Sequence, residues 1–264
     1  MTFKSILIFL IILLSISVGY GRNIIGPGLL LAPDTSSDYV YASQAIAEEA
    51  GLVYYWKMDE SGNTVADSTT NGYDLTQTNT TIEAGKIGNA RVFNTSDFLQ
   101  NTNACTNAFT NMTVCFWWKG ETSTVQQRIM DICGVNDNAI MITGNSAYGS
   151  IPAYNLSYMD WVTENLAHIA WDSNWNDTWV LFTMTWEGTT GILYVNGDTV
   201  AWTESVTARP ESTWDAGITI GSAYDESKDD CEGSIDEVSL FNTTLTQATI
   251  QDIYNSGTGK ALFQ

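Results

Sequence analysis

The stretch Gly233-Ser-Ile-Asp-Glu-Val-Ser-Leu-Phe-Asn242 has the composition of a buried strand but carries two adjacent carboxylates. Its apolar residues break the alternation of a regular strand; they are Ile235, Val238, Leu240 and Phe241. Either Asp236 or Glu237 would therefore face a core, where an unpaired charge is very costly. Two explanations stay open: a bulge that re-aims one carboxylate, or a bound cation that neutralises it.

The composition indicates a β-rich protein, and its acidic balance suits solubility outside the cell. The 264 residues suffice for one large domain or two small ones. Ten Trp, twelve Tyr and nine Phe favour β-structure. With 10 basic and 30 acidic residues, the formal net charge is −20. This charge argues against nucleic acid, which needs a basic footprint, and against anionic membranes, whereas it suits divalent cations and solubility.

Residues 1–21 have the pattern of a secretory signal peptide. A short basic start precedes an apolar run over residues 6–14, and Gly19 and Gly21 supply the small residues of a cleavage site. The run is shorter than the roughly 18 residues of a membrane span. We therefore expect export with cleavage, and no span afterwards, rather than a retained anchor. Residues 22–51 form a leader that either packs along the domain or docks on a partner.

The four cysteines are Cys105, Cys115, Cys133 and Cys231. In an exported protein an even number of cysteines indicates disulfides. Three connectivities are possible, and the sequence does not choose among them. No Cys-x-x-Cys pair occurs, and the single histidine, His168, has no cysteine near it in sequence, which argues against a zinc site.

Strand and turn signals follow one another from residue 52 onwards. Residues 52–58 form a strand-like run, followed by the turn Asp59-Glu-Ser-Gly-Asn63 and an Asp-Ser-x-x-Asn-Gly loop. Two further landmarks are Gly85-Lys-Ile-Gly-Asn-Ala-Arg-Val-Phe-Asn94 and Met112-Thr-Val-Cys-Phe-Trp-Trp-Lys119. The pair Asn196-Gly197 predicts the tip of a β-hairpin.

The chain closes with a predicted helix, for which Thr246 is the N-cap and Gly257 the stop. In this order, the landmarks over residues 52–257 resemble a laminin-G-like (LamG), concanavalin A-like jelly-roll domain. The opening stretch matches that family's Gly-x-Ile-Asp-Glu-Val-x-Ile-Tyr-Asn signature. The resemblance implies an all-β fold over residues 52–264: a two-sheet antiparallel jelly-roll sandwich with a short C-terminal helix.

The resemblance also implies a structural calcium ion (Ca2+) near the opening stretch. Calcium takes six to eight oxygen ligands, and the first and last strands of a jelly roll are neighbours. The candidate ligands are Asp59, Asp67, Asn71, Asp236 and Glu237. The alternative is that the three residues of the first loops are turn residues that bond their own backbone, while Asp236 accepts hydrogen bonds from neighbouring amides.

Residues 154–179 mix aromatic side chains with Asn and Asp, a mixture that fits a carbohydrate-binding rim. The candidate ligand-binding residues are Tyr154, Tyr158, Trp161, Trp171 and Trp175. For each of them the alternative is a place in the core, where aromatic residues of a sandwich are often found. The loop tip from Trp171 to Trp175 is the part least expected in the core.

No catalytic pattern is present, so we expect no enzyme activity. The Glu-x-Asp-x-Glu pattern of the laminarinase-like hydrolases that share this jelly roll is absent. We expect a secreted or surface-displayed recognition module, lectin-like or adhesive, that binds a glycan or glycoprotein surface. The alternative is a structural subunit of a surface appendage or virion that self-assembles or docks through residues 22–51. A glycoside hydrolase is the third and least favoured interpretation.

Overall fold

The computed structural model describes residues 51–103, 110–132, 138–160, 165–188, 190–204, 217–223 and 229–263. Residues 47–262 form one compact unit. The predicted signal peptide, residues 22–50 of the predicted leader, and Trp161 lie outside the described ranges. No helix within those ranges is long and apolar enough to cross a membrane.

The regular elements of the described chain are almost all strands. In chain order the elements are β1 (Leu52–Trp56), β2 (Thr64–Val65), β3 (Leu75–Thr78), β4 (Thr81–Ala84), β5 (Asn89–Phe93), β6 (Phe98–Asn101), β7 (Asn111–Gly120), β8 (Gln127–Ile132), β9 (Asn138–Ile142), β10 (Asn155–Asp160), β11 (Asn165–Ala170), β12 (Val180–Glu187), β13 (Thr190–Val195), β14 (Asp198–Val200), β15 (Thr203–Glu204), β16 (Ile218–Ile220), β17 (Gly233–Phe241) and the helix α1 (Gln247–Tyr254). A 3₁₀ turn (Ser173–Trp175) lies between β11 and β12, and another (Asn255–Gly257) follows α1.

These strands form two antiparallel sheets, as the sequence predicts. The first sheet has the order β14-β13-β12-β7-β17-β5-β4, with β1 also paired to β17. The second sheet has the order β15-β11-β10-β9-β8-β16-β6-β3-β2. Side chains from both sheets fill one hydrophobic core between them. The expected all-β sandwich with a short C-terminal helix is confirmed.

The central strand β7 is buried on both faces. Toward the core, Phe116 lies opposite Phe182 of β12, with ring centroids 5.9 Å apart. On the outer face, Trp117 stacks on Tyr254 of α1 at 5.8 Å. Burial on both sides explains why β7 reads as a continuous apolar run rather than as an alternating pattern.

The predicted hairpin tip is confirmed. Asn196 has φ 55° and Gly197 has φ 85°, and they join β13 to β14. Two consecutive residues with positive φ are typical of a type I′ turn, which matches the twist of the flanking strands. Asn196 Oδ1 also accepts a hydrogen bond from Leu181 N at 3.0 Å, so this turn is tied to β12.

The start of the C-terminal helix is predicted correctly, but its end is not. Thr246 Oγ1 accepts a hydrogen bond from Thr249 N at 3.3 Å, as expected of an N-cap. The helix stops at Tyr254 rather than at Gly257, because Asn255 adopts the left-handed conformation with φ 48°. Asparagine tolerates this region and can end a helix where glycine usually does.

Two of the four cysteines are free thiols. Cys115 and Cys231 are both buried and unpaired, and Cys115 Sγ lies 3.1 Å from Thr183 Oγ1. The expectation of a disulfide through either residue is therefore wrong. Cys105 and Cys133 lie outside the described residues, where a disulfide between them stays a prediction.

Candidate functional site

The opening stretch contains a β-bulge, one of the two explanations that the sequence leaves open. In the pairing of β17 with β7, Asp236 lies opposite Trp117, and Ser239 lies opposite Cys115. Two residues of β17 therefore oppose one of β7. Glu237 has φ 52°, a left-handed conformation that is common at bulges. The bulge lets both Ile235 and Val238 reach the core.

Asp236 holds the turn between β4 and β5. Its Oδ2 accepts hydrogen bonds from Lys86 N at 2.7 Å and from Ile87 N at 2.9 Å. The residue is fully buried, and its Oδ1 has no hydrogen-bond partner among the described residues. Burial raises the pKa of Asp236 to about 8, against the effect of these backbone hydrogen bonds.

Glu237 holds the first strand and the C-terminal segment. Its Oε2 accepts a hydrogen bond from the Tyr55 hydroxyl, which itself accepts one from Leu262 N at 3.2 Å. Oε1 has no hydrogen-bond partner in the described part of the chain. Burial raises the pKa of Glu237 to about 7; the bond from Tyr55 lowers it, and the charge of Asp59 raises it.

Asp59 supports the same β4–β5 turn from the other side. Its Oδ1 accepts a hydrogen bond from Asn89 N at 2.7 Å, and its carbonyl accepts one from Asn89 Nδ2 at 3.1 Å. We call Asp59, Asp236 and Glu237 the carboxylate clasp. It joins the first strand, the β4–β5 turn and the last strand.

Asp67 and Asn71 do not belong to the carboxylate clasp. Asp67 accepts four hydrogen bonds, from Tyr55 N, Thr69 N, Thr69 Oγ1 and Tyr73 N, at 2.9–3.2 Å. Asn71 Nδ2 donates to Val53 O at 2.9 Å. Both are turn residues that fasten the β2–β3 loop to β1. Within the described ranges, no group of three or more His, Cys, Asp or Glu residues is placed to hold a metal ion, and the calcium ion stays a prediction.

A pair of glycine variants tests the role of Asp59. Gly88 has φ 60°, and an added Cβ would overlap with the Asp59 carboxylate, whereas Gly72 has φ 72° and nothing within 4 Å. Both alanine variants impose left-handed strain of about 1 kcal/mol, but only Gly88→Ala also displaces Asp59 from Asn89 N. We expect Gly88→Ala to lose about 1 kcal/mol more in urea unfolding than Gly72→Ala. Equal losses would contradict this role.

The predicted aromatic residues occupy different environments. Tyr158 is fully buried, with its ring centroid 4.5 Å from that of Trp186, so it has no face for a sugar. Tyr154 is 43% exposed. Trp171 and Trp175 are half-buried: they contact each other edge to face, and both pack on Phe182. Their loop tip thus packs against the core without being part of it, and a role of the two rings in ligand binding stays a prediction.

Several loops lie together at one end of the sandwich, which we call the loop end. They are residues 94–97, 120–126, 143–154, 171–178 and 229–233. Their backbone hydrogen bonds run from Asn145 N to Thr124 O (3.2 Å), from Tyr154 N to Gly144 O (3.0 Å), from Trp171 N to Tyr154 O (2.9 Å) and from Asp177 N to Gly120 O (3.1 Å). Gly233 lies opposite Gly120, and Ser96 N donates to Asp230 Oδ2 at 3.0 Å. The loop end is thus one connected surface.

The loop end contains an open cleft of about 680 Å³, which we call the loop-end cleft. Its charged lining residues are Glu83, Lys119, Glu121, Asp177 and Glu232. Glu83 Oε1 accepts hydrogen bonds from Ser234 Oγ at 2.7 Å and from Lys119 Nζ at 3.0 Å. Both bonds lower the pKa of Glu83, and the bond from Ser234 has the larger effect. The sequence gives no signal for this cleft, because its residues come from several distant segments.

The fold and these residues place the protein in a known class. The chain belongs to the concanavalin A-like lectin/glucanases superfamily, whose laminin G family model matches residues 93–251. The family predicted from the sequence landmarks is therefore confirmed. A search of curated proteins finds no matching sequence.

Solved structures share the fold at low sequence identity. The binding domain of Paraclostridial Mosquitocidal Protein 1 aligns with a TM-score of 0.59 and 14% identity, over 78% of this chain and 52% of that one. Domain 4 of AbnA, a GH43 extracellular arabinanase from Geobacillus stearothermophilus, aligns with a TM-score of 0.58 and 18% identity, over 77% and 98%. The ligand binding domain of botulinum neurotoxin serotype D aligns with a TM-score of 0.57 and 16% identity, over 81% and 52%. The chain thus spans about half the length of the first and third of these structures.

Proposed function

We propose that this protein is an exported, non-catalytic module that binds carbohydrate at the loop end. The observation that carries the proposal is the loop-end cleft, which lies on the same connected surface as the exposed ring of Tyr154. Its volume is within the range of about 300–1,000 Å³ that is usual for ligand sites. Export rests on the pattern of residues 1–21.

Two structural relatives support a carbohydrate ligand. The arabinanase domain is described in complex with arabinotriose, and the neurotoxin domain in complex with N-acetylneuraminic acid. A shared fold does not by itself mean that this chain binds the same ligands, because one fold hosts many functions. The polar lining of the cleft and the exposed Tyr154 on the same loop end are the features of this chain that agree with them.

The ionisation of Glu83 supports binding rather than glycoside hydrolysis. A glycosidase needs one carboxyl with a raised pKa as its general acid. In the loop-end cleft, hydrogen bonds lower the pKa of Glu83 and keep it ionised. Asp236 and Glu237, whose pKa values are raised by burial, lie in the carboxylate clasp and do not line the cleft.

We retain a structural calcium ion as a proposal, restricted to the carboxylate clasp. The support is the pair of buried oxygens without partners among the described residues, Asp236 Oδ1 and Glu237 Oε1. These two atoms would be its protein ligands, and water or backbone carbonyls would complete the coordination. A bound cation would offset the burial cost of the two ionised carboxylates.

The glycan proposal is tested by binding to a glycan array and by one aromatic variant. We expect Tyr154→Ala to weaken binding about tenfold, because one aromatic contact contributes about 1.4 kcal/mol. Ile192→Ala is the matched control, since Ile192 is 37% exposed on β13, outside the loop end. Absence of binding to every glycan, with and without calcium, would refute the proposal.

A further inference from the structure

We infer that the loop-end cleft selects uncharged oligosaccharides and rejects acidic ones. This inference rests on the proposed function and names the class of glycan that the module binds. It follows from three properties of the loop-end cleft: a fixed floor, an excess of carboxylates, and a lysine that is already paired.

The floor of the loop-end cleft is held in place by buried side chains. Gln127 is fully buried; its Oε1 accepts a hydrogen bond from Glu232 N, and its Nε2 donates to Glu121 O, both at 2.9 Å. Ser234 is 5% exposed and donates to Glu83. These bonds tie the β7–β8 loop to the start of β17, so the site is largely formed before a ligand arrives, as is usual for small-ligand sites.

Carboxylates dominate the charge of the loop-end cleft. Glu83, Glu121, Asp177 and Glu232 line it, and Lys119 is the only basic residue among its described lining residues. Lys119 Nζ lies 3.0 Å from Glu83 Oε1 and 5.8 Å from the centroid of the Trp179 ring. An anionic sugar would therefore meet three carboxylates, and no basic residue among the described lining residues is left to offset them. The net charge of −20 adds to this repulsion.

The same carboxylates suit neutral sugars. An ionised carboxylate is an acceptor with two oxygens, and it binds hydroxyl donors more strongly than a neutral group does. Adjacent hydroxyls of an uncharged sugar supply such donors without adding negative charge. The volume of about 680 Å³ leaves room for a small oligosaccharide.

The inference is tested by titrating two sets of trisaccharides into the full chain, followed by ligand-observed NMR. The neutral set is arabinotriose, xylotriose, maltotriose and cellotriose; the acidic set is 3′-sialyllactose and trigalacturonate. We expect at least one neutral trisaccharide to bind about tenfold more tightly than either acidic one. The variant Glu121→Lys/Glu232→Lys, which changes two exposed residues, should reduce that difference to less than about threefold.

Glu187→Lys is the control, because Glu187 is exposed at the opposite end of β12 and makes the same Glu-to-Lys change at one position outside the loop end. It should leave the preference as in the wild type. Tighter binding of the acidic set by the wild type would overturn the inference while leaving glycan binding in place. So would a preference for neutral trisaccharides that the double lysine variant leaves as in the wild type. If no trisaccharide of either set binds, and the glycan array also shows no ligand, both the inference and the proposed function fail.

Discussion

Replacing Asp236 with alanine is expected to lower the free energy of unfolding by about 3 kcal/mol and the melting temperature by about 10 °C. The carboxylate accepts hydrogen bonds from Lys86 N and Ile87 N, and the alanine variant leaves both donors without their acceptor. Each unsatisfied buried donor costs about 1–3 kcal/mol. The measurement is urea and thermal unfolding followed by tryptophan fluorescence.

Two further variants separate the parts of this effect. Asp252→Ala removes a carboxylate that is 64% exposed, so its loss should stay within about 0.5 kcal/mol. Asp236→Asn keeps an acceptor for the two amides but removes the negative charge. In chelator it should therefore retain most of the stability that alanine loses. A loss in Asp236→Ala no larger than that in Asp252→Ala would contradict the role of the carboxylate clasp.

In the presence of a chelator, the protein is expected to become less stable as pH rises from about 4 to about 8. Burial raises the pKa of Asp236 from 3.8 to about 8 and that of Glu237 from 4.5 to about 7. In this range both carboxyls ionise in the unfolded chain while the folded chain holds their protons. A folded state that binds more protons than the unfolded state loses stability with increasing pH.

Calcium is expected to abolish much of this pH dependence if it binds at the carboxylate clasp. A cation favours the ionised carboxylates, so the melting temperature at pH 8 should rise with added calcium and change little at pH 4. The rise should be smaller in Asp236→Asn, which offers the cation one charge fewer. A melting temperature at pH 8 that does not respond to calcium or chelator would refute the calcium proposal. A flat pH profile in chelator would contradict the raised pKa values.

The sequence predicted the fold because its landmarks are local. The Asn196-Gly197 pair carries its own turn conformation, and Thr246 caps the helix through a neighbour three residues away. The order of such signals along the chain was enough to identify the jelly roll. The error at the end of α1 is local as well, since Asn255 took the left-handed position that the sequence assigned to Gly257.

The site residues were harder to predict, because their roles depend on contacts between distant segments. The sequence leaves two roles open for Asp67, metal ligand and turn residue, and the four hydrogen bonds that its side chain accepts within the first loops and β1 agree with the turn role. The side chains of β10 point alternately to the two faces of its sheet. Only the packing of the two sheets decides that the Tyr158 ring lies on the face toward the core. The loop-end cleft combines Glu83 with Glu232, which lie far apart in the sequence.

The bulge at Glu237 explains why the opening stretch departs from regular strand alternation. It turns one carboxylate toward the β4–β5 turn and the other toward Tyr55, so both have a structural role outside the loop-end cleft. Asp236 and Glu237 thus stabilise the sandwich, whereas the residues proposed to bind the ligand lie in segments without a recognisable motif.

The most direct test of carbohydrate binding at the loop end is a chemical-shift map of the isotope-labelled protein during titration with its strongest neutral glycan from the array. We predict shifts concentrated at Tyr154 and at residues 94–95, 120–123, 177 and 232–234; these four ranges line the loop-end cleft. Saturable shifts confined to other parts of the molecule, such as β13 and β14, or no shifts at any glycan concentration, would contradict the account.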